Sequence, residues 1–440
     1  MQSLRSFYKI TAMRKSSSII LLLILLTGFT RICAQEELSL NLQEAQQYAI
    51  KYNKTLKNAE LAVTAAQQQV WESVATGLPQ VDASVDYNNF LGAEIEFGEF
   101  GTIPFKPTSN LSVTVGQLVF SGSYIVGLQT ARIYKDLTET TRAKTELDIR
   151  EQVIRSYYTV LVAERSHKII LQNLENVRDL YNKTKTSYSV GMAEVTDVDQ
   201  MAVQVSYLEN SAKSAERHIE LAYNLLRLQL GAAVDTKLKL TDDLDAILDR
   251  VNIEATLAED LDMNKNMDYK VMAKQQMLSK KQVELEKMNY LPTISGFYSR
   301  TQKLLKPEFD MTPPNLVGLQ MSIPIFSSGS RKAKVEQARI NYETTLNNKS
   351  LLSDQILMQE KQYRYNLRTG MEQYRSQKEN VEVSERVYGS INLKYRQGLV
   401  SSLDLTTANN NYLQAESAYI NSMVQLLNAA LDLNKLLNNF

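Results

Sequence analysis

The sequence predicts a mainly helical protein with a smaller β component, built as an internal tandem duplication. A heptad pattern of nine positions occurs once in each half of the chain, without a slip in either copy. All eight prolines lie in two windows, Pro79–Pro107 and Pro292–Pro324, where apolar residues alternate with a period of two. The first heptad copy is Val198, Met201, Val205, Leu208, Ala212, Ala215, Ile219, Ala222 and Leu226, and the second is Leu405, Ala408, Tyr412, Ala415, Tyr419, Ser422, Leu426, Ala429 and Leu433.

The heptad copies predict coiled-coil seams on long helices, since spacings of three and four place every member on one stripe. Proline-free stretches set the lengths of these helices. The 68 residues Ser123–Val190 would span roughly 100 Å at 1.5 Å per residue, and Ser330–Gln397 is their counterpart. Four shorter helices have about 35 residues each, so two of them end to end match one long helix. They are predicted at Leu42–Gly77, Thr196–Leu230, Glu254–Asn289 and Ser402–Leu437.

Each proline window predicts a β-hairpin, near 79–121 in the first half and near 292–326 in the second. In the first window Val81, Ala83, Val85 and Tyr87 alternate with polar residues, which is typical of a strand with one apolar face. Glycine and proline are frequent between the two strands of each window, as expected for a loop. The chain therefore has four predicted strands.

Capping residues and glycines predict where several helices begin and end. A side chain that can cap a helix, followed three positions later by an acid, is typical of a helix start. Gly191 and Gly398 lie between predicted helices, where a tight turn requires positive φ. The predicted capping pairs are Asn41 with Glu44, Thr196 with Asp199, and Ser401 with Asp404.

The N-terminal segment 1–34 is predicted to be a secretory signal peptide. Basic residues precede the apolar run Ile19–Leu26, and Ala34 provides a small residue at the expected cleavage site. A helix that crosses a bilayer needs about 20 apolar residues, so this run is too short. Translation can start at Met1 or at Met13, because a complete signal follows either. Cys33, the only cysteine, is either removed with the signal, which its preceding residues favour, or lipidated at the mature N-terminus.

The remaining composition argues against several functions. Without the signal, the chain has 44 basic and 49 acidic side chains, a net charge of about −5, which disfavours nucleic acid as a partner. His167 and His218 lie among charged residues of predicted helices and are expected on solvated faces. No phosphate loop, nucleophile elbow or metal-binding cluster occurs in the sequence, so we expect neither an enzyme nor a cofactor.

Four strands cannot form a membrane-spanning structure alone. A bilayer accepts only closed barrels, which begin at eight strands. Three chains would supply twelve strands for a transmembrane β-barrel, and their helices could close below it into a hollow coiled-coil barrel. A dimer would supply eight strands, a barrel too narrow for a useful conduit.

The order of these features resembles the outer-membrane efflux proteins of the TolC type over Leu38–Phe440. Each motif is weak alone, but their doubled order behind a signal peptide is specific. Asn266 follows Asn53 at the same separation at which Leu291 follows Leu78, so both halves carry the opening motif in register. The motifs are Leu42, Ala45, Ala49 and Asn53; the pairs Leu78-Pro79 and Leu291-Pro292; and Phe120 with Gly122 and Phe326 with Gly329.

The resemblance implies a homotrimer with a twelve-stranded barrel in outer-membrane lipid and a helical barrel that crosses the periplasm. It also implies docking to a periplasmic adaptor protein and, through it, to an inner-membrane transporter. The expected function is the exit duct of a tripartite efflux system or of type I protein secretion. The alternative is a periplasmic coiled-coil scaffold without a pore, which would have no use for two aromatic hairpins. The resemblance also implies that the inner-membrane pump selects the substrate.

The resemblance also implies a gate at the periplasmic tip, where each long helix turns into a short one. Asp404, six residues after Gly398, takes the position of a constriction carboxylate, and Thr407 stands where the family has a second one. Tyr395 and Asp197 take the positions of two linked gate residues. Val400 replaces an expected basic residue. Three copies of Asp404 would form a cation-attracting ring and raise one another's pKa, whereas its spacing alone favours a helix-capping acid.

Overall fold

The computed structural model describes residues 37–96, 101–305 and 312–439. The predicted signal peptide, Cys33 and both candidate start residues lie outside these ranges. The described chain forms nine helices and eight strands. The helices are α1 (Leu42–Tyr52), α2 (Lys54–Ala75), α3 (Gly122–Ser189), α4 (Val195–Leu230), α5 (Leu244–Arg250), α6 (Ile253–Ala258), α7 (Met267–Met288), α8 (Ser330–Arg396) and α9 (Ser402–Leu437). The strands are β1 (Leu38–Leu40), β2 (Gln80–Asn88), β3 (Glu94–Glu96), β4 (Thr102–Pro104), β5 (Thr108–Ser121), β6 (Leu238–Leu240), β7 (Thr293–Leu305) and β8 (Asn315–Ser322).

Helices α3 and α8 are two long, unbroken rods. They have 68 and 67 residues, roughly 100 Å each at 1.5 Å per residue. Helices α2 and α4 pack along α3, while α7 and α9 pack along α8, and α7 also contacts α3. All eighteen heptad positions on α4 and α9 are buried or half-buried, as coiled-coil seams require. No helix in the described ranges combines the length and the apolar character needed to cross a membrane.

Two of the shorter predicted helices are interrupted, so those predictions are partly wrong. The predicted helix Leu42–Gly77 divides at Asn53 into α1 and α2, and Glu254–Asn289 divides into α6 and α7. Asn53 has φ −64° and ψ 126°, and Asn266, just before α7, has φ −61° and ψ 128°. Both residues are therefore extended. Asn53 alone separates α1 from α2, whereas the segment 259–266 separates α6 from α7, and neither break contains a proline or a glycine.

Asn53 and Asn266 form equivalent joints between helices. The Oδ1 atom of each accepts hydrogen bonds from backbone amides of the helix that follows, at 2.8 to 3.2 Å. The Nδ2 atom of Asn53 donates to the Gln229 carbonyl at 2.7 Å, and that of Asn266 donates to the Leu436 carbonyl at 3.1 Å. The last carbonyls of a helix have no intrahelical partner. Each buried asparagine therefore provides hydrogen-bond partners for backbone amides at the start of one helix and for a backbone carbonyl at the end of another.

The four strands of the proline windows form one antiparallel sheet in the order β2–β5–β7–β8. On one face the hydroxyls of Ser112 and Thr301 lie 3.0 Å apart across the β5–β7 register. The other face is apolar and exposed, and 67% of Val81 and 79% of Val317 are accessible. Strands β2 and β8 are the edges of the sheet. Partners across one row of the apolar face are Val81, Val115, Tyr298 and Val317.

Two small sheets were not predicted from the sequence. Strand β1 pairs with β6 in parallel, and β3 pairs with β4 within the first hairpin loop. The first of these sheets lies against α3, where the Tyr157 hydroxyl is 3.1 Å from both the Leu40 carbonyl and the Asp242 carboxylate. Side chains from α1, α2, α3, α4, α5, α8 and α9 complete the largest buried core around it. The largest buried core therefore surrounds the middle of the long helix α3.

Charged side chains join α3 to α9 beside this core. Arg155 binds Glu151 and Asp432, and the Lys435 ammonium lies 2.9 Å from Glu151 and 2.7 Å from Asp148. Burial alone would raise the pKa of Glu151 and Asp148, but hydrogen bonds from the neighbouring cations outweigh it and lower both pKa values. For Asp432 burial outweighs the attraction of Arg155, so its pKa is raised.

Candidate gate at the helix tip

The tip of the molecule consists of two turns, 190–194 between α3 and α4 and 397–401 between α8 and α9. Gly191 has φ +78° and Gly398 has φ +73°, and in both turns this left-handed residue ends the long helix. The amides of Met192 and Leu399 donate back to carbonyls near the ends of α3 and α8, at 2.8 and 3.0 Å. The two turns therefore have the same backbone conformation. Each places a glycine at the residue with positive φ, because glycine has no Cβ that would clash there.

The two short helices start with capping boxes, one as predicted and one not. At α9 the Ser401 side chain accepts from the Asp404 amide at 3.2 Å, and the Asp404 carboxylate accepts from the Ser401 amide at 3.0 Å. At α4 the box consists of Glu194 and Asp197, so the predicted pair Thr196 with Asp199 is wrong. The helix begins one residue before Thr196, which lies inside its first turn.

Asp404 is fully exposed in the single chain. Its carboxylate accepts from the Ser401 hydroxyl at 2.7 Å as well as from the Ser401 amide. These hydrogen bonds lower the pKa of Asp404, because they favour the ionised carboxylate. Thr407 is exposed one turn further along α9. Asp404 thus caps its own helix, and the expected rise in pKa by three crowded copies stays a prediction about an assembly.

Tyr395 and Asp197 do not bond to each other in the single chain. The Tyr395 hydroxyl instead lies 2.6 Å from the Thr184 hydroxyl of α3. The Asp197 carboxylate accepts from the Ser402 hydroxyl of α9 at 2.5 Å, and Gln200 Oε1 lies 2.7 Å from that hydroxyl. These links, together with the hydrogen bond from Gln204 of α4 to Asn410 of α9 at 3.0 Å, hold the α3–α4 pair against the α8–α9 pair.

A cleft of about 920 Å³ lies between the two turns. Lys183 and Arg396 line it together with Asp197, and Val400 contributes an apolar side chain. The Arg396 guanidinium is 4.0 Å from Asp179 of α3, the long limit of an ion pair. The cleft is therefore lined by both positively and negatively charged side chains, and it lies where the two helix pairs meet.

Sequence reasoning missed the buried partners of both links. Thr184 is 3% exposed and Ser402 is 2% exposed, so each hydroxyl is held between helices. Ser402 directly follows the capping Ser401, and only its burial distinguishes the two serines. Thr184 lies inside the long helix α3, where no local pattern marks it. A contact between residues 205 or 211 positions apart leaves no local signal in one sequence.

The described residues include no group of three or more His, Cys, Asp or Glu that could hold a metal ion. His167 is half-buried on α3 and His218 is exposed on α4.

Known proteins are similar to this chain over most of its length. The model of the family described as "Outer membrane efflux protein" matches residues 45–232 and 262–439. A probable efflux pump outer membrane protein of Pseudomonas putida, TtgC, is 24% identical over 413 residues, which cover 90% of this chain and 82% of TtgC. The outer membrane protein TolC of Vibrio cholerae is 20% identical over 88% of this chain and 90% of its own length.

Solved structures with this fold are also known. The CmeC outer membrane channel of Campylobacter jejuni superposes with a TM-score of 0.74 at 15% identity, over 90% of this chain and 85% of CmeC. The outer membrane protein VceC of Vibrio cholerae gives the same TM-score at 15% identity, over 90% of this chain and 95% of VceC. Together with the family match over both halves, these likenesses confirm the resemblance drawn from the motifs. The chain belongs to the outer membrane efflux protein family.

Proposed function

We propose that this protein is the outer-membrane channel of a tripartite efflux system or of a type I secretion system. It would pass substrates from a periplasmic adaptor and an inner-membrane pump to the outside. The observation that carries the proposal is the four-stranded sheet with an exposed apolar face, joined to helical rods of roughly 100 Å. An apolar sheet face can contact the acyl chains of lipid, and helices of this length can extend across the periplasm.

The assembly we propose is a homotrimer. Strand β2 of one chain would pair with β8 of the next, so that three sheets close into a twelve-stranded barrel without free edges. The apolar face with Val81 and Val317 would then contact outer-membrane lipid, and the hydroxyl face with Ser112 and Thr301 would line the lumen. The helices of the three chains would close into a cylinder below the barrel.

The domain organisation we propose is a signal peptide at 1–34 followed by two structural repeats, 38–231 and 251–440. Both repeats contain a capped helix that leads to a hairpin, one long helix and one short helix. The joints at Asn53 and Asn266 support this duplication, because each binds the last turn of the short helix that ends its own repeat. The hairpins of the two repeats lie near 79–121 and 292–326.

The partners we propose are a periplasmic adaptor protein and an inner-membrane transporter, with no nucleic acid. The names of the relatives support this, since TtgC is described as an efflux pump outer membrane protein. The protein would transport substrates through its pore and would not catalyse a chemical reaction.

The gate we propose lies at the tip. Three copies of Asp404, with Thr407 one turn further along α9, would ring the narrowest part of the pore. Tyr395 and Asp197 would hold the tip closed through Thr184 and Ser402, and Gly191 and Gly398 would form the turns. Opening would require both hydrogen bonds to break.

A bilayer recording with a charge-matched control tests this function. The full-length protein should sediment with the outer membrane as a heat-modifiable trimer and conduct ions. Asp404→Ala should raise the conductance of the closed pore or weaken its block by cations, because the carboxylate ring is lost. Asp199→Ala removes an exposed carboxylate near the start of α4 and should change neither quantity. A soluble periplasmic monomer would reject the channel, and unchanged conductance and block in Asp404→Ala would reject only the gate.

A further inference from the structure

A small cavity lies just above the tip, where four helices meet. Its volume is about 10 Å³. Leu180 of α3, Met201 of α4, Tyr388 of α8 and Asn409 of α9 all line it. Tyr388 precedes the link residue Tyr395 by seven positions, two turns of the same helix. The cavity thus lies within the contact that joins the two helix pairs.

Four buried polar atoms surround this cavity without a hydrogen-bond partner among the described residues. They are the amide nitrogen and oxygen of Asn409 and the hydroxyl oxygens of Tyr388 and Thr406. Asn409 is 2% exposed and Tyr388 is 9% exposed, so bulk water does not reach these groups. A buried polar group without a partner costs about 1–3 kcal/mol, and native proteins rarely leave several in one place. These atoms therefore point to a ligand that can both donate and accept hydrogen bonds.

One water molecule fits this description. A cavity can hold a single water when it offers roughly 10–15 Å³ to the centre of a water-sized probe and two to four polar partners. The present cavity offers about 10 Å³ and four unpartnered atoms. Of the other lining residues, Val177, Leu180, Met201 and Leu405 are apolar, and Gln204 donates its side-chain amide to Asn410 at 3.0 Å. No charged side chain lines the cavity, so it does not suit an ion, which would need several oxygen ligands.

We propose that one structural water occupies this cavity and bridges Tyr388 of α8 to Asn409 and Thr406 of α9. The water makes the helix contact above the tip polar and hydrated. The water then links α8 to α9 within one helix pair, two turns above Tyr395, whose hydroxyl lies 2.6 Å from the Thr184 hydroxyl of the other pair. This inference concerns the packing of the chain and does not depend on the proposed channel function.

Radiolytic footprinting of the full-length protein tests the proposal. X-rays convert water into hydroxyl radicals, and a bound water oxidises side chains around it even when they are buried. Met201 lines the cavity and is 2% exposed, whereas Met423 is 0% exposed in the apolar core. Met201 should be oxidised several-fold faster than Met423. Met192, 85% exposed at the turn, reports the rate for bulk water.

Two substitutions separate the water from local opening of the helices. Asn409→Leu fills the cavity with an apolar side chain and should reduce oxidation of Met201 to the rate of Met423. Tyr388→Phe removes one partner of the water and should reduce it in part, which keeps the test usable if the leucine variant does not fold. Met192 should be unaffected in both. Equal rates at Met201 and Met423 in the wild type, or an unchanged rate at Met201 in both variants, would overturn the proposal.

Discussion

Replacement of Asn53 by alanine should destabilise the joint between α1, α2 and α4 by about 2–4 kcal/mol. Loss of a capping side chain costs about 1 kcal/mol, and here Oδ1 caps the amides of Thr55 and Leu56 at 2.8 and 3.2 Å. Loss of the Nδ2 donor leaves the Gln229 carbonyl without its partner, and an unsatisfied buried acceptor costs about 1–3 kcal/mol. The two losses add because one side chain serves both helices.

Hydrogen exchange of the full-length protein in detergent measures this local effect. Each 1.4 kcal/mol corresponds to a factor of ten, so exchange through local opening should accelerate roughly 30- to 1,000-fold. The acceleration should occur in two peptides distant in sequence, one around Asn53 and one at the end of α4 near Gln229. Peptides from the tip should exchange at the wild-type rate.

Two further variants divide the effect into its parts. Asn53→Asp keeps the capping acceptor but removes the donor, so only the α4 peptide should lose most of its protection. Asn41→Ala removes the cap of α1, which makes no contact with a distant carbonyl, and should cost only about 1 kcal/mol. If Asn53→Ala behaved like Asn41→Ala, or left the α4 peptide protected, the reasoning about a shared joint would be refuted.

Two other predictions concern the backbone and the charges near this joint. Gly231→Ala should destabilise by more than roughly 2 kcal/mol, since its φ is +73° and a Cβ would lie 2.3 Å from the Tyr52 carbonyl oxygen. Gly191→Ala, with φ +78° and no atom within 4 Å, should cost only about 1 kcal/mol; equal losses in thermal unfolding would contradict this. The lowered pKa values of Glu151 and Asp148 contribute stability above their ordinary values of 4.5 and 3.8. That stability should be lost as the pH falls through their folded-state pKa values, and Glu151→Gln should make the acid-induced loss of helical circular dichroism less steep; an unchanged slope would contradict the assignment.

Local signals in the sequence were sufficient to predict the long helices and the edges of several elements. Helix α9 begins and ends at the predicted residues. Its start is marked in the sequence because Ser401 and Asp404 form a capping box there. The breaks at Asn53 and before Met267 could not be predicted in this way. No proline or glycine occurs there, and the partners that stabilise the breaks lie 176 and 170 residues away.

The small parallel sheet illustrates a second limit. Strands β1 and β6 have three residues each, too few for an alternation that differs from chance. Their pairing joins segments from the beginning and the middle of the chain, from Leu38 with Leu238 to Leu40 with Leu240. The side-chain contacts at the tip show the same limit. The sequence predicts Tyr395 and Asp197 as gate residues, but it does not predict their partners Thr184 and Ser402, because those contacts depend on how the two helix pairs pack together. Sequence patterns thus predict elements better than contacts between them.

The two joints also show how the halves differ. Gly231 and Asn438 take equivalent positions in the two halves and end α4 and α9 with positive φ of 73° and 63°. At the first joint a Cβ is excluded by the Tyr52 carbonyl, since α1 runs directly into Asn53. At the second joint the segment 259–266 separates α6 from α7, and Asn438 carries a full side chain. The hydrogen bond from an asparagine to a helix end therefore recurs in both halves, while the close backbone packing that makes glycine necessary is particular to the first. Substitutions at Gly231 should consequently be more damaging than substitutions at Asn438, although both residues end their helices in the same conformation.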